Sequence, residues 1–116
     1  MLKFICYPKC TTCQKAQAWL DEKGIKYEIR NIKEDKPTYD EIKAWYEASG
    51  LDINRFFNTS GLLYKSMDLK NKLSEMTLDE KLELLASDGM LVKRPIVVGD
   101  NIVLVGHKEK EWEKAL

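Results

Sequence analysis

The sequence predicts an α/β domain built on a mixed sheet, made in two halves with a helical segment inserted between them. Three observations predict it. The opening segment reads strand, helix, strand; residues 38–88 carry only helical periodicity; and the last third returns to strand patterning in a hairpin, followed by a terminal helix. A strand–helix–strand unit pairs its strands in parallel through a right-handed crossover. A hairpin pairs its strands antiparallel, so the combined sheet is mixed.

The apolar run at residues 2–7 reads as the first strand, and Pro8 ends it. Helical spacing follows at residues 12–23, where Cys13, Ala16, Trp19 and Leu20 share a face, and Gly24 stops the helix by accepting a left-handed conformation. Residues 27–32 set Tyr27, Ile29 and Asn31 against Glu28, Arg30 and Ile32, the alternation of a second strand. A polar stretch, 33–37, leads out of the sheet. Thr38 and Glu41 then have the spacing of a capping box, in which each side chain bonds the other's backbone N–H. The helix they open has an inner stripe of Ile42, Trp45, Tyr46 and Ser49 and stops at Gly50. Asp52 caps a short turn carrying Ile53, Phe56 and Phe57, and Asn58, Thr59, Ser60 and Gly61 form a polar loop. Tyr64, Met67, Leu69, Leu73 and Met76 mark short, irregular helical pieces. Thr77 and Glu80 repeat the capping-box spacing before a helix at 78–87, expected to bury Leu78, Leu82, Leu85 and Ala86; Asp88 and Gly89 end it.

Ile96, Val97 and Val98 form the next strand, Gly99-Asp100-Asn101 turns the chain, and residues 102–105 return. Gly106 breaks the hairpin, and residues 108–116 make a charged helix with Trp112, Ala115 and Leu116 inward. No linker or repeat interrupts the chain. It is expected to be one domain over 1–116, with sheet halves at about 1–36 and 90–116 and the helical insertion at about 38–88. Trp19, Trp45, Phe56, Phe57 and Trp112 stand at core positions of these elements.

The totals exclude several function classes. Lysine plus arginine equals aspartate plus glutamate, 19 against 19, so there is no overall basic footprint for direct nucleic-acid binding. No apolar run approaches the roughly 20 residues that span a bilayer, and the chain enters its first strand without a signal-peptide pattern. The expectation is a cytoplasmic protein with no membrane partner. No glycine-rich nucleotide loop is present, so no bound organic cofactor is expected. Three cysteines, two of them tightly spaced, fit thiol chemistry better than a disulfide framework. A zinc site needs about four ligands, and only Cys6 and His107 remain to be recruited beside that pair, so no metal is expected. Cys6, on the first strand, reads as a small buried apolar residue.

The chemistry concentrates at Cys10-Thr11-Thr12-Cys13, a Cys-x-x-Cys pair at the junction of strand and helix. The first backbone N–H groups of a helix lack partners, and the helix dipole adds partial positive charge there. Cys10 is placed at or just before the first turn, where a thiolate is stabilised and its pKa lowered. Lys9 and Lys15 add positive charge. Cys13, three residues on, lies on the same side and is placed to resolve a mixed disulfide formed at Cys10. The expected roles are therefore Cys10 as nucleophile and Cys13 as resolving thiol.

Taken with Lys93-Arg94-Pro95-Ile96-Val97-Val98, that pair makes the chain resemble the arsenate reductase (ArsC) and Spx-like family over essentially its full length. The resemblance implies a thioredoxin-like fold with an inserted helical subdomain, a reactive Cys10, Arg94 beside it, and a cis-Pro95 facing the cysteines. It also implies one of two activities. Arsenate reductases of the family attack arsenate with one cysteine, hold the oxyanion with three arginines and draw on glutathione and glutaredoxin. Spx-like members carry a Cys-x-x-Cys switch and bind the C-terminal domain of the RNA polymerase α-subunit. Cys13 belongs with the Spx-like branch. Of the three arginines only Arg94 is matched; the other positions fall near residues 58–60 and near His107. Removing one transition-state donor costs roughly 3–4 kcal/mol, so arsenate turnover is not the expectation. The favoured reading is a thiol–disulfide oxidoreductase with Cys10, Cys13 and Arg94 at its centre, Lys9, Thr11, Thr12, Pro95 and His107 as weaker binding candidates, and a glutathione, glutaredoxin or thioredoxin type of reductant. The alternatives are a redox-switched regulator that binds RNA polymerase, and an interaction domain with idle cysteines.

Overall fold

Strand side chains alternate between the two faces of a sheet, and the first strand uses both faces for burial. The computed structural model describes residues 1–116. Its strands are β1 (Leu2–Cys6), β2 (Tyr27–Asn31), β3 (Ile96–Val98) and β4 (Val103–Val105), in sheet order β2-β1-β3-β4. β1 runs parallel to β2, with Leu2 opposite Tyr27 and Cys6 opposite Asn31; it runs antiparallel to β3, with Phe4 opposite Val97; β3 and β4 are antiparallel. The mixed sheet expected from the sequence is therefore the one formed.

The helices are α1 (Thr11–Glu22), α2 (Tyr39–Ser49), α3 (Leu62–Ser66), α4 (Leu69–Lys72), α5 (Leu78–Ser87) and α6 (Glu109–Ala115). They divide between the two faces. Phe4 and Cys6 of β1 pack with Cys13, Ala16, Trp19 and Leu20 of α1 and with Trp112 of α6. Ile5, between them in sequence, points the other way and joins Ile42, Trp45, Leu82, Leu85 and Ile96 in the larger cluster under the insertion. Fully burying one such side chain contributes about 1.5–3 kcal/mol. No helix is long and apolar enough to cross a membrane.

The insertion starts and continues on the two capping boxes. The Thr38 hydroxyl accepts from the Glu41 N–H while the Glu41 carboxylate accepts from the Thr38 N–H, and Thr77 and Glu80 do the same ahead of α5. Gly50 ends α2 at φ 69°, as its position predicts. One expected core residue is not there: Leu78 is 44% exposed. It is the first residue of α5, next to the cap, and the buried stripe begins one turn later at Leu82. The pieces between Gly61 and Met76 are two short helices and a 3₁₀ turn, of which Leu69 and Leu73 are buried.

Two ties hold the insertion to the sheet. An antiparallel bridge pairs Phe57 with Val92, flanked by Asn58 N–H to Leu91 O at 2.8 Å and Lys93 N–H to Phe56 O at 2.7 Å. Gly89 lies so close to the chain leaving β2 that a Cβ there would meet Ile32 O at 1.8 Å. These contacts fix the approach to Arg94 and Pro95, whose peptide bond is cis.

Arg30 of β2 makes a third link, to α2. Its Nη1 and Nη2 donate to the two Glu41 carboxylate oxygens at 2.6 and 2.9 Å. That fork, with help from the Thr38 N–H and against partial desolvation, pulls the Glu41 carboxyl down to about 2. The folded value lies below that of an unfolded glutamate, about 4.3. The stabilisation is therefore full above about pH 4.3 and is lost as pH falls toward 2. Urea unfolding of Glu41→Gln should show a shallower loss of stability through that window than the unsubstituted protein. Parallel acid profiles for the two would contradict the link.

Candidate functional site

Cys10 is the N-cap of α1, extended at φ −83° and ψ 123°, and Gln14 N–H donates to its carbonyl at 3.0 Å as the first bond of the helix. The turn ahead of it is set by Cys10 N–H to Tyr7 O at 2.9 Å and by the Gln14 side-chain amide to Pro8 O at 2.9 Å. Pro8 ends β1 and the chain reverses at once, so the helix begins one residue earlier than its apolar spacing implies. The Cys10 side chain is half-buried and caps no backbone N–H. The first amides of α1 are therefore left for a group arriving in front of them.

Cys13, one turn in, is sealed at 2% exposure. Its sulfur accepts the Tyr7 N–H at 3.4 Å and contacts the thiols of both Cys6 and Cys10. Contact with Cys6 and burial push the Cys13 thiol well above the ordinary cysteine range. All three cysteines are free thiols.

Cys10 opens onto a cleft of about 700 Å³. Thr12 and Arg94 line the same cleft, with Lys93 beside Arg94; Asn58, Ser60, Gly61, Leu62, Leu63 and Ser66 form the wall given by the insertion; Asp88 and Met90 close the end of α5. The Arg94 guanidinium lies 5.3 Å over the Tyr7 ring, and its Nε and Nη1 are buried with no hydrogen-bond partner. Asp88, the one acidic residue of the lining, is already engaged by the Met90 N–H at 2.8 Å. With Lys93 and Arg94 set against Asp88, the lining carries a net positive charge.

The remaining expected residues divide. Pro95 is buried behind Arg94, and Lys9 and Thr11 are exposed and do not line the cleft. His107 lines a smaller neighbouring cavity of about 270 Å³, with Thr12, Arg55, Lys93 and Lys108. Its ring packs 4.6 Å from that of Trp112, its Nε2 is buried without a partner, and burial lowers its pKa below the ordinary histidine value. Arg55, Asp88 and Met90 enter these cavities with no signal in the local sequence, because the Phe57–Val92 bridge brings their segments together. Lys93 was legible only as the neighbour of Arg94.

Residues 6–115 match the model of the ArsC family. The chain belongs to the ArsC family. It is 52% identical over 113 residues to the Bacillus subtilis protein YusI, covering 97% of this chain and 96% of that one. It is 30% identical over 109 residues to the global transcriptional regulator Spx of Listeria monocytogenes, covering 94% and 82%. Among solved structures it is similar to an ArsC family related protein from Bacteroides fragilis, with a TM-score of 0.97 and 52% identity over 99% of this chain and 97% of that one. The thioredoxin-like α/β fold with an inserted helical segment is thus that of an ArsC and Spx-like family member.

Within this ArsC-family site Arg94 is costly to the resting fold. A buried donor without a partner costs about 1–3 kcal/mol, set against a cation–π contact with Tyr7 of about 0.5–1 kcal/mol. Arg94→Met should therefore leave urea stability unchanged or raise it by up to about 2 kcal/mol. A fall of more than about 1 kcal/mol would mean that Arg94 serves the fold and not the cleft.

Proposed function

We propose that the protein is a thiol–disulfide oxidoreductase in which Cys10 attacks and Cys13 resolves. The observation that carries this reading is the unequal exposure of two adjacent thiols. Cys10 faces a wide cleft at a helix N-terminus, whereas Cys13 touches it from behind and is closed to solvent. A substrate reaches only the first. Cys13, its thiol pushed up by Cys6 and burial, stays protonated until a reaction at Cys10 brings it into play.

The Cys10 thiolate attacks one sulfur of an oxidised substrate R–S–S–R. The S–S bond breaks, and one R–S⁻ leaves and takes a proton. Cys13 then loses its proton and attacks the Cys10 sulfur of the mixed disulfide, so the second R–S⁻ departs. The protein is left with a Cys10–Cys13 disulfide, and two R–SH are formed. An external thiol reductant of the glutathione, glutaredoxin or thioredoxin type restores the pair, with no bound organic cofactor required.

The size and charge of the cleft favour an organic disulfide over arsenate. A volume of about 700 Å³ far exceeds a tetrahedral oxyanion. Arg94 and Lys93 are its only cationic side chains, while Arg55 and His107 open into the other cavity. Two cations and the free amides of α1 suit a carboxylate carried on the substrate, and Leu62, Leu63 and Met90 suit its apolar part.

Cys10→Ser should abolish turnover of such a disulfide, and Cys13→Ser should stall as a mixed disulfide on Cys10, read by intact-protein mass and peptide mapping. An adduct trapped on Cys13 in an otherwise unsubstituted protein would reverse the roles. A second reading, a redox-switched regulator that binds the C-terminal domain of the RNA polymerase α-subunit, draws on the 30% identity with Spx. Its test is pull-down with that domain under oxidising and reducing conditions; binding in one state and not the other would favour it over the enzyme.

A further inference from the structure

Cys6 has no task in the mechanism above, yet its position is specific. It is the last residue of β1, and strand alternation turns it with Phe4 toward α1, away from Ile5. What it meets there is Cys13, the first buried residue of α1. The Tyr7 amide, bonded directly to Cys6, donates to the Cys13 sulfur at 3.4 Å. Standard covalent geometry then holds the Cys6 Cα within about 6 Å of that sulfur. Both residues are 2% exposed, in one buried cluster, and Cys10 packs against the edge of it. All the cysteines of the chain thus gather at one place, with Cys10 at the cleft and Cys13 and Cys6 buried together in the cluster it packs against. No carboxylate is buried behind Cys13, the buried set being wholly apolar; the group next to Cys13 on the inner side is another thiol.

We propose that Cys6 is a third redox thiol, which exchanges with the Cys10–Cys13 disulfide to leave a buried Cys6–Cys13 disulfide and a free Cys10. The inference rests on the oxidoreductase reading. In the exchange the Cys6 thiolate attacks the Cys13 sulfur. The Cys6–Cys13 bond forms, the Cys10–Cys13 bond breaks, and the electron pair leaves on Cys10, which takes up the proton that Cys6 gave. Nothing is oxidised or reduced overall; the two oxidising equivalents taken from the substrate move inward. Reduction retraces the path, since an external thiol cannot reach either buried sulfur. Cys10 attacks Cys13, Cys6 leaves, and the reductant then attacks Cys10. The oxidised protein thereby shelters its disulfide and offers Cys10 to the cleft again.

The test is oxidation of the unsubstituted protein and of Cys6→Ser with diamide, which enters at Cys10, followed by acid quenching at timed points, alkylation after unfolding, and peptide mapping. Trypsin cuts after Lys3, Lys9 and Lys15, which separates the Cys6 peptide (residues 4–9) from the peptide that carries Cys10 and Cys13 (residues 10–15). In the unsubstituted protein the Cys10–Cys13 disulfide forms first, and a cross-link between the two peptides, with Cys10 alkylated, replaces it with time. In Cys6→Ser the Cys10–Cys13 disulfide forms and persists. If the unsubstituted protein keeps the Cys10–Cys13 disulfide and an alkylated Cys6 throughout, the inference is overturned and the oxidoreductase reading stands. If the unsubstituted protein forms no disulfide at all, both are overturned.

Discussion

The junction between the end of β1 and the start of α1 is the constraint on which the rest depends. Within seven residues the chain leaves a strand buried on both faces, turns through Pro8, and enters a helix whose inner face lies back on that strand. The bond from the Tyr7 N–H to the Cys13 sulfur crosses this turn. It satisfies an amide at the edge of the core that would otherwise be stranded, at a cost of the order of 1–3 kcal/mol, and it uses Cys13, the proposed resolving thiol, to do so. The same arrangement leaves Cys10 at the mouth of the helix. The separation into an outer and an inner thiol follows from where this one turn starts the helix, with Cys10 at the N-cap and Cys13 one turn in.

The insertion turns that thiol pair into a site. By itself a strand–helix junction offers Cys10 to open solvent. The helices between β2 and β3 bury Ile5 and its neighbours on the far face of the sheet, and the Phe57–Val92 bridge then swings the polar loop at residues 58–61 across from Cys10. Gly61 is fitted closely there, since a Cβ would come within 2.7 Å of the Asn58 side-chain nitrogen. The bridge also sets Lys93 and Arg94 at the mouth of β3. Arg94 keeps two buried donors unsatisfied, which is the kind of local cost that makes sense where an anionic group arrives and not where a fold is being secured.

What the sequence made legible was whatever is local. The capping boxes at Thr38–Glu41 and Thr77–Glu80, the stop at Gly24, the inner face of α1 and the hairpin after Pro95 all have causes within a few residues, and each is where the pattern places it. Leu78 lies on the predicted face yet is exposed, because periodicity names a face without saying where along the helix the partner begins. Arg55, Asp88 and Met90 were invisible as cavity residues for a different reason: a long-range bridge brings them there, and no spacing encodes it. The sequence presents Cys6 as a small apolar residue, and its burial agrees; that it sits against Cys13 depends on strand register and helix phase together. His107 lies one cavity away from Cys10, packed on Trp112 with its pKa lowered by burial, which a count of family arginine positions does not reveal.

The central claim is that Cys10 and Cys13 form a working redox pair. Equilibration of the purified protein across a graded thiol–disulfide buffer, with alkylation and mass mapping at each point, tests it most directly. The account predicts a two-electron transition in which Cys10 and Cys13 pair, at a potential near the thioredoxin range of about −270 mV. Cysteines that stay reduced across the buffer range, or that pair only under harsh oxidant, would contradict it.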